Sequence, residues 1–152
     1  MLIRSMTADD AAAVSAVCMR SFSHSVANSL AAAGALTFAT IASAEAFLKR
    51  LQEDNVILVA TDETQIMGVV ELRAGSHVSM FFVDPEYQKQ GIGKQLLHTV
   101  LERAQTDDVT VNASLYSVPV YRKSGFECRG DVAEHAGLTY QPMVLHLLTA
   151  AD

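Results

Sequence analysis

The sequence predicts a mixed α/β domain, and three observations carry that reading. Half of the 152 residues are hydrophobic, enough to bury a core without metals or disulfide bridges and too apolar for a disordered chain. Short β-prone runs dominate the first half, and β-α-β-α-β crossings follow, the pattern of a mixed sheet with helices on both faces. Between them, Val78 to Ala104 reads as an apolar strand, a Pro-containing turn, a glycine loop and an amphipathic helix.

In chain order, Leu2 to Ser5 reads as a strand, and Thr7 caps a helix to about Phe22 with Asp9 and Asp10 in its first turn, where they favour the helix dipole. His24 to Thr40, rich in Ser and Ala, is ambiguous; Ala44 to Glu53 reads as helix. Asn55 to Ala60 and Gln65 to Arg73 form a hairpin around Thr61-Asp62-Glu63-Thr64. His77 to Val83 is the strand that enters the glycine loop. A helix over 91–106 follows, then a strand from Val109 to Ala113, a short helix closed by Gly125 as left-handed cap, and strands Phe126 to Gly130 and Met143 to Leu148. No repeat, low-complexity tract or linker divides the chain, so residues 1–152 are read as one domain.

The loop Gln88-Lys89-Gln90-Gly91-Ile92-Gly93-Lys94 is the chemical signal. Gly91 and Gly93 lack a Cβ, so a ligand can approach the backbone there. The first amides of the new helix have no intrahelical partner and carry the positive end of its dipole, which makes an anion site, most usefully a phosphate site. Hydrogen bonds to a charged group contribute roughly 1.5–3 kcal/mol each, so three or four could hold a diphosphate, with Lys89 and Lys94 adding charge. A P-loop fails on spacing, because Gln95 follows Gly93-Lys94 and Gln88 stands at the first glycine position. The dinucleotide fingerprint fails too, because Leu96 stands where a third Gly or Ala is needed. A glycine pair between strand and helix also serves, in many proteins, as a tight connection alone.

The second constellation is Tyr121-Arg122-Lys123-Ser124-Gly125-Phe126. Together with Gln88-x-x-Gly91-x-Gly93 it resembles the GCN5-related N-acetyltransferase (GNAT) superfamily, whose acetyl-coenzyme A signature and late Tyr-x-x-x-Gly-Phe element have these spacings. Asn112 to Tyr121, Gly137 and Gln141-Pro142-Met143 look like one small bacterial branch, and the resemblance covers nearly the whole chain. It implies a mostly antiparallel central sheet with splayed central strands, here 77–83 and 109–113, and the coenzyme's pantetheine arm in the gap. Phe81, Phe82 and Val83 would then bond that arm through their backbones, while Gln88, Lys89, Gln90 and Gly91 with Ile92, Gly93 and Lys94 would hold the diphosphate. Many relatives carry Asn seven residues before the tyrosine; this chain has Ser114, taken here as the cofactor contact. Tyr121 is implied near the sulfur, as general acid or as a hydrogen-bond donor to the thiolate.

Acetyl transfer to an amine also requires a neutral amine. At a pKa near 10.4, deprotonation at pH 7 costs about 4–5 kcal/mol, to be offset by a base, a water chain or a desolvating pocket. Glu71, a carboxylate amid Val69-Val70-Glu71-Leu72, is the candidate base if it faces the acceptor cleft; on the polar face of the strand it would only be solvated. His77 is a second candidate, and a base acting through water, or none, stays open. Tyr87 and Tyr116 read as surface or packing residues, and Asp84 as turn chemistry with Pro85.

Composition excludes other classes. The net charge of −6 argues against a nucleic-acid binder and leaves cationic acceptors open. No apolar run approaches the roughly 20 residues of a membrane span, and no signal peptide is read, so a cytoplasmic protein with no membrane partner is expected. Cys18 and Cys128 have no metal-ligand spacing, and no metal is expected. The leading reading is an acetyl-CoA-dependent N-acetyltransferase acting through a ternary complex on a small-molecule amine or a peptide or protein amine. A non-catalytic acyl-CoA sensor and a module for another nucleotide are the alternatives. The resemblance is compatible with a homodimer, and places the acceptor site at roughly 22–40 and 131–142, where Asp131, Glu134 and His135 could greet a cation.

Overall fold

The computed structural model describes residues 1–25 and 32–147. Its elements are β1 (Leu2–Ser5), α1 (Ala11–Ser25), α2 (Ala32–Ile41), α3 (Ala44–Leu51), β2 (Asn55–Asp62), β3 (Gln65–Arg73) and β4 (His77–Val83), then α4 (Ile92–Leu101), β5 (Asp108–Ala113), α5 (Val118–Lys123), β6 (Glu127–Cys128), β7 (Ala133–His135) and β8 (Leu138–His146). The strands lie in the order β1-β2-β3-β4-β5-β8-β6, with β7 paired to β8. The mixed α/β expectation with a mostly antiparallel sheet holds, because β4–β5 is the one parallel pair among these strands.

That parallel pair is also the short one. Only His77–Thr110 and Val78–Val111 are in register, although β4 continues to Val83. At about 3.3 Å per residue, the last five residues of β4 leave a seam of roughly 16 Å with no β5 partner.

The sheet is sandwiched, and the chain's alternation says how. Ile57, Val59 and Val69 share a core with Val14, Cys18, Phe22 and Phe47 of the α1–α3 side. Leu58, Ala60, Val70 and Leu72 pack instead with Ile92, Leu96, Leu97 and Val100 of α4. With both faces covered, the interiors of β2 and β3 are buried at nearly every position, hence their continuous apolar runs.

Element boundaries shift for local reasons. Ala8–Asp10 is a 3₁₀ turn and α1 runs on to Ser25. The Asp10 carboxylate accepts the Thr7 N–H at 2.8 Å and the Arg4 guanidinium at 2.7 and 3.0 Å, so the entry is fixed by an acid rather than by the Thr7 hydroxyl. The helix expected over 91–106 stops at Leu101. Beyond it Arg103 and Ala104 bond three residues back, and the Gln105 N–H donates to Gly75 O at 2.9 Å, drawing the chain to the β3–β4 turn. The expected strand 126–130 contracts to Glu127–Cys128, while the last strand begins at Leu138, five residues before Met143. The segment 131–137, read as loop, contains β7 and a tight turn at Ala136 (φ 51°) and Gly137 (φ 84°). The expectation at Leu148, and part of the ambiguous 24–40 segment, lie outside the described residues.

The Arg4 ion pair with Asp10 makes a pH prediction. Hydrogen bonding to Arg4, aided by the Thr7 N–H, lowers the Asp10 carboxyl from 3.8 to about 2. A depressed acid stabilises the fold fully above the unfolded value and loses that contribution as pH falls from about 4 to about 2. Because Arg4 is more than a third exposed, solvent screening holds the contribution to about 1 kcal/mol. Asp10→Asn should lower the unfolding free energy from urea titration at pH 7 by that amount, with a smaller difference at pH 2.5. Equal unfolding free energies at pH 7 would contradict it.

Candidate functional site

The loop after β4 is built to expose backbone donors. Asp84 is buried and works twice: Oδ1 accepts the Glu86 N–H at 3.1 Å, and Oδ2 accepts Arg20 Nε and Nη2 at 3.0 and 2.5 Å. Turn chemistry with Pro85 is therefore only half its part, and the other half ties α1 to the loop. Gln88 Nε2 donates to Val83 O at 3.1 Å, bracing the end of β4. Lys89 (φ 65°) and Gly91 (φ 83°) are left-handed, and Gly91 caps α4 with open space where a Cβ would stand. Intrahelical bonding begins with the Gln95 N–H to Gly91 O at 3.1 Å, which leaves the amides of Ile92, Gly93 and Lys94 without intrahelical acceptors. A Cβ on Gly93 would lie 3.2 Å from Phe81 Cζ, so glycine is what lets the helix start sit against the strand end.

A cavity of about 860 Å³ runs along the unpaired seam. Phe81, Phe82 and Val83 line it from β4; Gln88, Lys89, Gly91, Ile92, Gly93 and Lys94 close its loop end. From across the seam come Asn112, Ala113 and Ser114, with Tyr121. Of the residues read from sequence as cofactor contacts, Gln90 is exposed and outside these walls. The Asp84 N–H donates to Met67 O at 2.8 Å. By antiparallel alternation, Phe82 then bonds β3, while the backbone groups of Phe81 and Val83 turn toward the seam.

Tyr121 is held by a helix terminus. The Phe126 N–H donates to Tyr121 O at 3.1 Å and the Gly125 N–H to Arg122 O at 3.0 Å, a Schellman motif that needs the left-handed Gly125 (φ 100°). The same turn brings Phe126 edge-on to the Tyr121 ring at 5.3 Å, and Phe81 also meets that ring edge-on at 5.6 Å. The Tyr-x-x-x-Gly-Phe spacing is thus a device for fixing one phenol. Tyr121 is 4% exposed, and burial pushes its phenol up. Ser114 Oγ lies 2.8 Å from Ser117 Oγ, so this hydroxyl also caps the turn into α5.

Glu71 is where the structure corrects the sequence reading. It is fully buried, absent from the cavity wall, and gripped by Arg50 Nε at 3.0 and 3.1 Å. Arg50 lies in α3, 4.5 Å above the Phe47 ring. Burial pushes the Glu71 carboxyl up while Arg50 pulls it down, the balance of an enclosed ion pair rather than of a group facing a substrate. His77 also lies outside the wall; its Nδ1 is 2.8 Å from Thr110 Oγ1, and burial lowers its pKa. Tyr87 and Tyr116, read as surface or packing residues, both line the cavity, and the Tyr87 hydroxyl donates to Gln65 Oε1. Ser79, Thr139 and Tyr140 also line it. Alternation along β4 was the one available signal for Ser79. Of Asp131, Glu134 and His135, only His135 reaches the wall. Among the described residues, no group of three His, Cys, Asp or Glu side chains is placed to hold a metal, and no helix is long and apolar enough to cross a membrane.

Residues 26–147 match the acetyltransferase (GNAT) domain family, and the chain belongs to that family. It is 30% identical over 94 residues to the uncharacterized N-acetyltransferase YafP of Escherichia coli K12, covering 57% of this chain and 61% of that protein. It is 33% identical over 81 residues to the peptidyl-lysine N-acetyltransferase YjaB of Salmonella typhimurium LT2, covering 53% of this chain and 55% of that protein. The chain therefore spans a little over half the length of these two relatives. Its fold is similar to that of PaiA N-acetyltransferase from Thermoplasma acidophilum, solved in complex with coenzyme A, with TM-score 0.79, 21% identity, and 95% and 98% of the two chains covered.

Glu71→Gln separates a structural ion pair from a base. Leaving Arg50 partly buried without its partner should lower stability by about 3 kcal/mol, read as a denaturant midpoint. An unchanged midpoint would contradict the structural assignment.

Proposed function

We propose that this chain transfers an acetyl group from acetyl-coenzyme A to a primary amine within a ternary complex. The observation that carries the reading is the β4–β5 seam leading to the bare amides of α4, with the Tyr121 phenol in the wall of the same cavity. Family membership supports it, as do the N-acetyltransferase names of the relatives and the coenzyme A bound in the similar fold.

In this reading the amides of Ile92, Gly93 and Lys94 take the diphosphate, and Lys89 and Lys94 add charge that offsets a net −6 field. Phe81 and Val83 hold the pantetheine amides as an added strand would, which aligns the thioester carbonyl beside Tyr121. The neutral amine attacks the carbonyl carbon, the C–S bond breaks to release the thiolate, the amine's proton leaves to solvent and the thiolate takes one from solvent, giving the N-acetyl amine and coenzyme A. A phenol with an ordinary pKa near 10 already gives its proton to a thiolate, whose thiol has a pKa of about 8.5, uphill by roughly 2 kcal/mol. Burial of Tyr121 steepens that climb, so its part is to donate a hydrogen bond to the leaving thiolate. Glu71 is enclosed and His77 lies outside the wall, so neither takes the amine's proton directly.

Tyr121→Phe should lower kcat by about 10²–10⁴ while the Kd for coenzyme A stays within a factor of about two, measured by free-thiol release over a panel of amines and by calorimetry. Unchanged turnover would reduce Tyr121 to packing. Coenzyme A binding with no acetyl transfer to any amine, and no slow hydrolysis, would identify a sensor instead.

A further inference from the structure

We propose that the amine accepted here is a single ammonium centre carried on an apolar, uncharged body, and that polycationic amines are disfavoured. The inference rests on the transfer reading above and concerns the end of the cavity away from the glycine loop.

That end is walled by rings and aliphatic side chains. Phe22 and Phe38 stack with centroids 4.0 Å apart and planes within 6°, and Phe82 meets Phe38 edge-on at 5.2 Å. Ile41 and Leu138 continue the wall. A polyamine or aminoglycoside brings several ammonium groups, each expensive to desolvate without a carboxylate partner. Among the described residues lining the cavity there is no Asp or Glu, and the sequence from Ser21 to Ala44 contains neither. Asp131 and Glu134 are exposed outside the wall, and Glu71 is taken by Arg50.

The polar groups at this end suit one amine. Ser79 brings a neutral hydroxyl rather than a charge to this end, and that hydroxyl is enclosed beside Glu71. Thr139, Tyr140 and His135 add hydroxyls and an imidazole, not carboxylates. The wall is also fixed in place. Thr37 Oγ1 donates to Ala136 O at 2.8 Å, and a Cβ on Gly137 would lie 2.4 Å from Gly34 N, so the backbones of α2 and the β7–β8 turn touch. That contact holds α2, which carries Phe38 and Ile41, against the start of β8, which carries Leu138.

The test is calorimetry on the coenzyme A-loaded protein with two probes, 2-phenylethylamine and spermidine. The aryl amine should bind at least tenfold more tightly, through burial of its ring. Ser25 lines the same end, and its hydroxyl bonds Ser21 O at 2.8 Å. Ser25→Asp should install the missing carboxylate there and shift the preference at least tenfold toward spermidine. Spermidine binding as well as the aryl amine in the unaltered protein, binding of neither, or a preference unmoved by Ser25→Asp overturns the inference. A protein giving no heat with coenzyme A while keeping the aryl preference overturns the transfer reading instead, because the two probes are then read on the free protein.

Discussion

The site depends on a failure of pairing. β4 and β5 lie side by side for two residues and then part, which would be costly if it stranded buried backbone groups, since an unmade hydrogen bond costs about 1–3 kcal/mol. The backbone groups of Phe81 and the N–H of Val83 open instead onto a cavity. Nor is the strand end left loose: Gln88 braces Val83 O, and the Arg20–Asp84 pair holds the following turn to α1. The sheet therefore keeps a polar slot open at the place where a helix begins.

Two rigid supports convert that slot into a chemical site. Gly93 lets α4 sit directly against Phe81, so the bare amides stand at the strand's end rather than a side chain's width away. Gly125 folds the end of α5 so that Phe126 packs on the Tyr121 ring, which Phe81 also meets. Both supports are made by backbone geometry and by packing in one core cluster, which Tyr121, Phe126 and Ile92 share.

Legibility in the sequence followed the range of the forces involved. Gly91, Gly93 and Gly125 report local backbone requirements, so the glycine loop and the left-handed cap after the short helix were legible from residue type, while the place of Tyr121 came from the family resemblance. The β2–β3 hairpin was legible for the same reason, from two β-prone runs and a short polar turn. Glu71 was not: its meaning lies in Arg50, 21 residues earlier on another element, and alternation along β3 cannot distinguish a carboxylate facing a ligand from one facing a buried guanidinium. β7 was hidden because its turn is Ala136-Gly137 rather than Asn-Gly, and its three residues carry no apolar alternation. The end of α4 was overrun because Ala104 keeps the helical period while its backbone already turns toward Gly75.

The central claim is that main-chain donors at the start of α4, more than lysine charge, hold the diphosphate of coenzyme A. Calorimetry with coenzyme A on Gly93→Glu and on the Lys89→Ala, Lys94→Ala double variant tests it most directly. The account predicts that the double variant keeps its affinity within about tenfold while Gly93→Glu abolishes the heat, the two differing by at least about 2 kcal/mol. Full binding by Gly93→Glu, or its loss in the lysine variant alone, would contradict it.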